Sequence, residues 1–145
     1  MPEYLERDTS QENSISERQG EVDVVGLGFV TNMADYMAAA DVLVTKAGPG
    51  SIAEAASVGL PVMLTSFLPG QEAGNVGFVL DAGFGDYNED AIEIANEVTF
   101  WLKNDVLLKK LSKKAQEAGH PTAASDIVRE IGSVTQAWME LNTRA

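Results

Sequence analysis

Asp41-Val42-Leu43-Val44-Thr45-Lys46-Ala47-Gly48-Pro49-Gly50-Ser51 is the stretch that decides the fold. Its first half, Asp41 to Thr45, is a short β-branched run of the kind that forms a buried parallel strand. Gly48-Pro49-Gly50 breaks it. Ser51 to Val58 is rich in alanine and reads as a helix, stopped by Gly59 ahead of Pro61. Pro61 to Thr65 is again an apolar strand. Strand, glycine loop, helix and strand in close succession make a βα unit, which requires a parallel sheet with helices on its faces.

The alternation continues outward in both directions. Upstream, Val22, Val24, Val25 and Leu27 suggest a strand ending at Gly28-Phe29, and Met33, Tyr36, Met37 and Ala40 recur at helical spacing. Downstream, Ser66 to Gly74 reads as a loop, Asn75 to Ala82 as a short helix and Phe84 to Tyr87 as a brief edge strand. Asp90 to Leu102, with Ile92, Ile94, Ala95, Val98, Trp101 and Leu102, reads as an amphipathic helix. Further helices are expected over Val106 to Ala118 and Thr122 to Leu141, separated by Pro121. The predicted class is α/β: a Rossmann-like parallel sheet of four or five strands flanked by helices. Met1 to Gly20 is polar and acid-rich, and reads as disordered or as a linker ahead of a domain over 21–145. Its acidity is unlike a secretory or plastid leader.

Composition narrows the function classes. The 145 residues suit one domain, and 45% hydrophobic content can bury a core. The formal charge of −12, from 22 acids against 10 bases, supplies no basic stripe for a nucleic acid and no electrostatic attraction to anionic lipid. With no cysteine and one histidine, neither disulfides, thiolate metal sites nor a His-rich site can form. No apolar run reaches the roughly 20 residues of a membrane span.

Ligands of such sheets bind at the carboxyl ends of the strands. There, Lys46-Ala47-Gly48-Pro49-Gly50-Ser51 combines glycines that let a ligand approach the backbone with the amide groups and positive dipole end of the following helix. A diphosphate fits that chemistry, with Ser51 supplying a hydroxyl and an N-cap; a plain helix cap with a tight turn fits it equally. Glu54, one turn further on, can accept hydrogen bonds from a ribose diol or be a solvated helix glutamate. In Pro69-Gly70-Gln71-Glu72-Ala73-Gly74-Asn75, the side chains of Gln71, Glu72 and Asn75 can bind sugar hydroxyls, or the segment can be a polar surface loop. Gly26-Leu27-Gly28 is only a fragment of a dinucleotide fingerprint. His120 reads as a loop residue, and Trp101 and Trp138 as packing residues.

Taken together, Gly28-Phe29-Val30-Thr31-Asn32-Met33, Thr45 to Ala55, Gly59-Leu60-Pro61, Pro69 to Val76 and Pro121 to Val128 closely resemble plant and algal monogalactosyldiacylglycerol synthases, over roughly Val22 to Gly132. More distantly, the chain is similar to the bacterial glycosyltransferase that makes lipid II. The resemblance implies a GT-B fold of two Rossmann-like lobes around a cleft, with this chain matching the C-terminal, UDP-sugar-binding lobe of a family 28 glycosyltransferase. It implies that Phe29 and Val30 hold the uracil, that Gly48, Gly50 and Ser51 hold the diphosphate, and that Glu54 binds the ribose. Gln71 and Glu72 then hold the sugar, Asn75 completes that loop, and Lys46 screens diphosphate charge.

The activity so implied is that of a diacylglycerol 3-β-galactosyltransferase of galactolipid synthesis in the plastid membrane. Galactose passes from UDP-galactose to the lipid hydroxyl with inversion, and the charge on departing UDP meets the helix N-terminus behind Ser51. The arrangement calls for no metal, and for no cofactor besides the UDP-galactose donor. The general base and the lipid-docking surface belong to an N-terminal lobe, so this chain is expected to act with that lobe or with a membrane-bound partner chain. The two-subunit dolichol-linked N-acetylglucosaminyltransferase is a precedent for the second arrangement. Other readings keep the fold but take UDP-glucose or UDP-N-acetylglucosamine, or make the chain a non-catalytic UDP-sugar-binding subunit.

Overall fold

A computed structural model of the chain describes residues 16–19 and 22–143. It divides into two units, Met1–Met33 and Ala34–Ala145. In the first, β1 (Ser16–Gln19) pairs antiparallel with β2 (Val22–Val25). This differs from expectation twice. Ser16–Gln19 was predicted within the polar leader, whose residues 1–15 and 20 lie outside the described set. The strand at Val22 was predicted to join the parallel sheet. Four polar residues in a row give β1 no alternation to detect. Its register sets Arg18 opposite Asp23.

The second unit is built on a parallel sheet of three strands, not four or five, in the order β3 (Leu43–Thr45), β4 (Val62–Leu64), β5 (Gly85–Tyr87). Helix α1 (Met33–Ala39) precedes β3, α2 (Pro49–Ser57) links β3 to β4, and α3 (Ala73–Ala82) links β4 to β5. Then follow α4 (Ala91–Leu102), α5 (Asp105–Ala118) and α6 (Ala123–Thr143). The central strand β4 is buried along its whole length, as the near-continuous apolar run of an enclosed parallel strand requires. Around it Ile52, Ala55 and Ala56 of α2, Val79 of α3, Phe84 and Ala115 of α5 complete the core.

Local chemistry sets the ends of the helices. Gly59, at φ +73°, turns the chain out of α2, and its N–H donates to the Ala56 carbonyl. The Asp90 carboxylate accepts from the amides of Ile92 and Glu93 to start α4, and Asn104 accepts from Leu107 to start α5. At Gly85 the strand passes so close to its neighbours that a Cβ would fall 2.0 Å from the Val62 carbonyl oxygen and 2.7 Å from Val79 Cγ1.

Trp101 is buried, and its indole N–H donates to Glu97 at 2.6 Å. Trp138, expected to pack as well, is 64% exposed. It lies in an apolar seam of α6 with Ile127, Ile131 and Val134, all exposed. The helical period is there, as read from the sequence, but the seam is left open. Among the described residues no helix is long and apolar enough to cross a membrane.

Candidate functional site

Because β3, β4 and β5 run parallel, the segments that leave their carboxyl ends lie along one edge of the sheet. Two of them carry the residues singled out from the sequence: residues 46–48, between β3 and α2, and residues 65–72, between β4 and α3. The backbone ladder continues into both, with Thr65 N–H donating to Thr45 O at 2.9 Å and Ala47 N–H to Ser66 O at 2.8 Å. The two loops therefore run side by side.

Helix α2 begins two residues earlier than predicted. Gly48, at φ −71° and ψ 128°, is its N-cap and Pro49 its first residue, so Ser51 sits inside the first turn and is not the cap. Pro49 explains the shift: proline has no N–H to lose and a φ already set for the first helical position. The first intrahelical bond to Gly48 comes from the Ile52 amide, at 3.1 Å. The amides of Gly50 and Ser51 precede it and stand outside the helical ladder. No side chain caps this end among the described residues.

Neither glycine here is demanded by the fold. Gly48 has an ordinary negative φ, and a Cβ on Gly50 would meet nothing within 4 Å. Alanine in that exposed first turn would favour the helix more than glycine does. Only the Lys46 ammonium approaches this point, its Nζ lying 3.4 Å from where a Gly48 Cβ would be. Gly50, Ser51 and Glu54 share one side of α2 through their three- and four-residue spacings. Glu54 is exposed on that side, while Ile52, Ala55 and Ala56 face the core.

The second loop is held to the first by two side chains. Lys46 Nζ and Glu72 Oε1 form an ion pair at 2.5 Å. The Glu72 side chain is only 9% exposed, that of Lys46 61%. The other carboxylate oxygen of Glu72 accepts from the Leu68 N–H at 2.8 Å. The Lys46 hydrogen bond, then the Leu68 amide, hold the Glu72 carboxyl below its ordinary range. Asn75, on the first turn of α3, donates through Nδ2 to the Ala47 carbonyl at 2.9 Å. Between these anchors Gln71 is exposed at the tip of the turn, its N–H donating to the Leu68 carbonyl at 3.2 Å.

Of the predicted residues, the second unit thus brings Lys46, Gly48, Glu72 and Asn75 into direct association, with Gly50, Ser51 and Glu54 on the adjoining face of α2. The Lys46–Glu72 pairing was not foreseen; two opposite charges in loops that leave neighbouring parallel strands are the signal that could have found it. Phe29 and Val30 belong to the first unit, where the Phe29 side chain is 98% exposed and Val30 half-buried. A mainly apolar cavity of about 280 Å3 adjoins the site and shares Pro49 and Asn75 with it, its remaining wall including Ile52, Ala53, Phe78 and His120. His120 stands in the turn between α5 and α6, as the sequence predicted.

The sequence profile described as glycosyltransferase family 28 C-terminal domain matches residues 4–127. The chain belongs to that family. Among curated family 28 relatives, probable monogalactosyldiacylglycerol synthase 3, chloroplastic, of Oryza sativa subsp. japonica is 40% identical over 131 residues, which is 90% of this chain and 26% of the relative. Monogalactosyldiacylglycerol synthase 3, chloroplastic, of Arabidopsis thaliana is 40% identical over 125 residues, 86% of this chain and 27% of the relative. The chain therefore spans about a quarter of the length of these family 28 relatives. Among solved structures, Acinetobacter baumannii MurG superposes with a TM-score of 0.61 at 25% identity, over 72% of this chain and 33% of that one. The glycotransferase of kitacinnamycin has a TM-score of 0.54 at 19% identity, covering 82% and 33%, a likeness of fold alone. The family 28 fold is accordingly α/β, one lobe of a GT-B glycosyltransferase.

Proposed function

We propose that this chain is the nucleotide-sugar-binding half of a diacylglycerol β-galactosyltransferase, with UDP-galactose as donor. The observation that carries the reading is the first turn of α2. It presents two glycines that neither backbone nor packing requires and two amides outside the helical ladder. A group that comes close to this backbone and carries negative charge accounts for both. Membership of family 28 supports a hexosyl transfer, and the relatives named monogalactosyldiacylglycerol synthase support galactose and a diacylglycerol acceptor. Their chloroplastic designation supports a plastid location.

In this reading the diphosphate rests on the amides of Gly50 and Ser51, Glu54 accepts from the ribose diol, and the loop with Gln71 faces the sugar. As the bond from the anomeric carbon to UDP breaks, negative charge grows on the departing diphosphate. Fixed backbone dipoles at the α2 N-terminus stabilise that charge without reorganising during the reaction. Attack by the lipid hydroxyl on the opposite face inverts the centre. The base that takes the hydroxyl proton, and the surface that presents diacylglycerol, lie in a second lobe or a partner chain. Calorimetric titration of the chain with UDP-galactose, UDP-glucose and UDP-N-acetylglucosamine tests the donor assignment. Tightest binding of UDP-galactose is expected; indifference to every uridine nucleotide would sink it.

A further inference from the structure

Half of the basic residues fall in one short stretch. Lys103, Lys109, Lys110, Lys113 and Lys114 stand against a single acid, Asp105, so residues 103–114 carry +4 while the rest of the chain carries −16. The net charge of −12 averages over the two and hides the segregation, so composition alone argued against attraction to anionic lipid. Helix α5 turns four of these lysines to one side. Leu107, Leu108, Leu111, Ser112 and Ala115 are buried or half-buried, whereas Lys109, Lys110, Lys113 and Lys114 are exposed. Their three- and four-residue spacings make them neighbours, and like charges so placed oppose the helix. One carboxylate answers them: Glu117 meets Lys114 at 2.8 Å and Lys113 at 3.9 Å. Lys109 and Lys110 form no ion pair among the described residues. Val106, one turn earlier on the same side, is 81% exposed.

The helix that carries this face is fixed. Ser112 Oγ donates to the Gly59 carbonyl at 2.7 Å, and at Gly119 a Cβ would fall 2.5 Å from the Ala56 carbonyl oxygen, so α5 is seated against α2 at two points. Neither contact uses the lysines, and none of the four belongs to the candidate site. We propose that the lysine face of α5 is a docking surface for an anionic lipid bilayer. Charge complementarity sets the partner's sign: the ammonium groups are drawn to lipid phosphates, and Val106 adds an apolar contact at the headgroup boundary. The acid excess elsewhere is repelled by the same surface, which favours one orientation. The choice of lipid over another polyanion rests on the diacylglycerol acceptor of the reading above, a substrate presented at a membrane surface.

The experiment mixes the full chain with vesicles of phosphatidylcholine alone, and of phosphatidylcholine and phosphatidylserine in equal parts. Flotation measures the bound fraction. Binding to the anionic vesicles in dilute buffer is expected, with little to the neutral ones, and it should fade near about 1 M salt, where the screening length is about 3 Å. Lys109→Gln and Lys110→Gln should each weaken partition roughly fivefold. Both side chains are exposed and unpaired, so the melting temperature should stay equal or rise slightly. Arg129→Gln, which removes an exposed base from α6, should change partition much less. Absence of binding to the anionic vesicles, equal binding to both kinds, or equal losses from Lys109→Gln and Arg129→Gln would overturn the proposal. Retention on polyglutamate with no partition onto vesicles would assign the face to an acidic protein and overturn it too. Calorimetry with UDP keeps the two readings apart: if vesicles bind through α5 but no uridine nucleotide binds, the docking surface stands and the donor reading has failed.

Discussion

The side-chain amide of Asn75 donates to the carbonyl of Ala47 across 2.9 Å, tying the first turn of α3 to the loop ahead of α2. Ala47 is fully buried, so its carbonyl has no water to turn to if that donor is removed. Asn75→Ala is expected to destabilise the fold by about 1–3 kcal/mol. Asn75→Asp, which sets carboxylate oxygens against a carbonyl, should cost at least as much. Urea unfolding of the three proteins measures both differences, and an Asn75→Ala chain as stable as wild type would show that the bond does not hold the loops.

Glycine-to-alanine changes separate packing from ligand approach. Gly85→Ala forces a methyl group against the Val62 carbonyl and should destabilise by about 1–3 kcal/mol or more. Gly50→Ala meets nothing within 4 Å and should leave the melting temperature equal or higher, while reducing UDP affinity about tenfold or more by crowding the α2 amides. Undiminished UDP binding by Gly50→Ala would argue against a diphosphate at this turn.

Glu54 is exposed on α2, and its removal should cost the fold no more than about 0.5 kcal/mol. If its carboxylate takes the ribose hydroxyls, Glu54→Ala should weaken UDP roughly tenfold or more. The same change should cost 2′-deoxy-UDP much less, since one of the two donors is already absent. Equal losses for the two nucleotides would place Glu54 away from the ribose.

Acid should expose the Lys46–Glu72 pair. With its folded-state value held below the ordinary 4.5, the Glu72 carboxylate stabilises the fold fully above that value and loses its contribution as pH falls through the folded one. The stability gap between wild type and Glu72→Gln should be constant between about pH 7 and about pH 5 and close at more acid pH. A gap that persists to the lowest pH at which the chain stays folded would mean that the carboxylate charge is not its source.

Much of the second unit could be read from the sequence because the signals were local. The β-branched run before Lys46 and the alanine-rich helix stopped by Gly59 each arise from neighbouring residues and survive in the fold, although the first strand is only partly buried. What could not be read depended on distant partners. The period of α6 foretold a helix but not that Trp138 would stay outside the core. At the candidate site, residue types near Lys46 and Gln71 pointed to a ligand, but the roles of individual side chains did not follow. Glu72 is 26 positions from Lys46, and nothing nearby in sequence announces their bond. Ser51 lost the cap position to Gly48 because Pro49 could begin the helix earlier.

The open seam of α6 bears on how the isolated chain will behave in solution. Ile127, Ile131, Val134 and Trp138 form a sticky ridge, and a formal charge of −12 is the force that keeps one molecule from settling on another. Salt shortens the reach of that repulsion to about 8 Å at physiological ionic strength and leaves the apolar attraction intact. Dilute buffer should therefore keep the chain dispersed, and concentrated salt should drive it toward clumping.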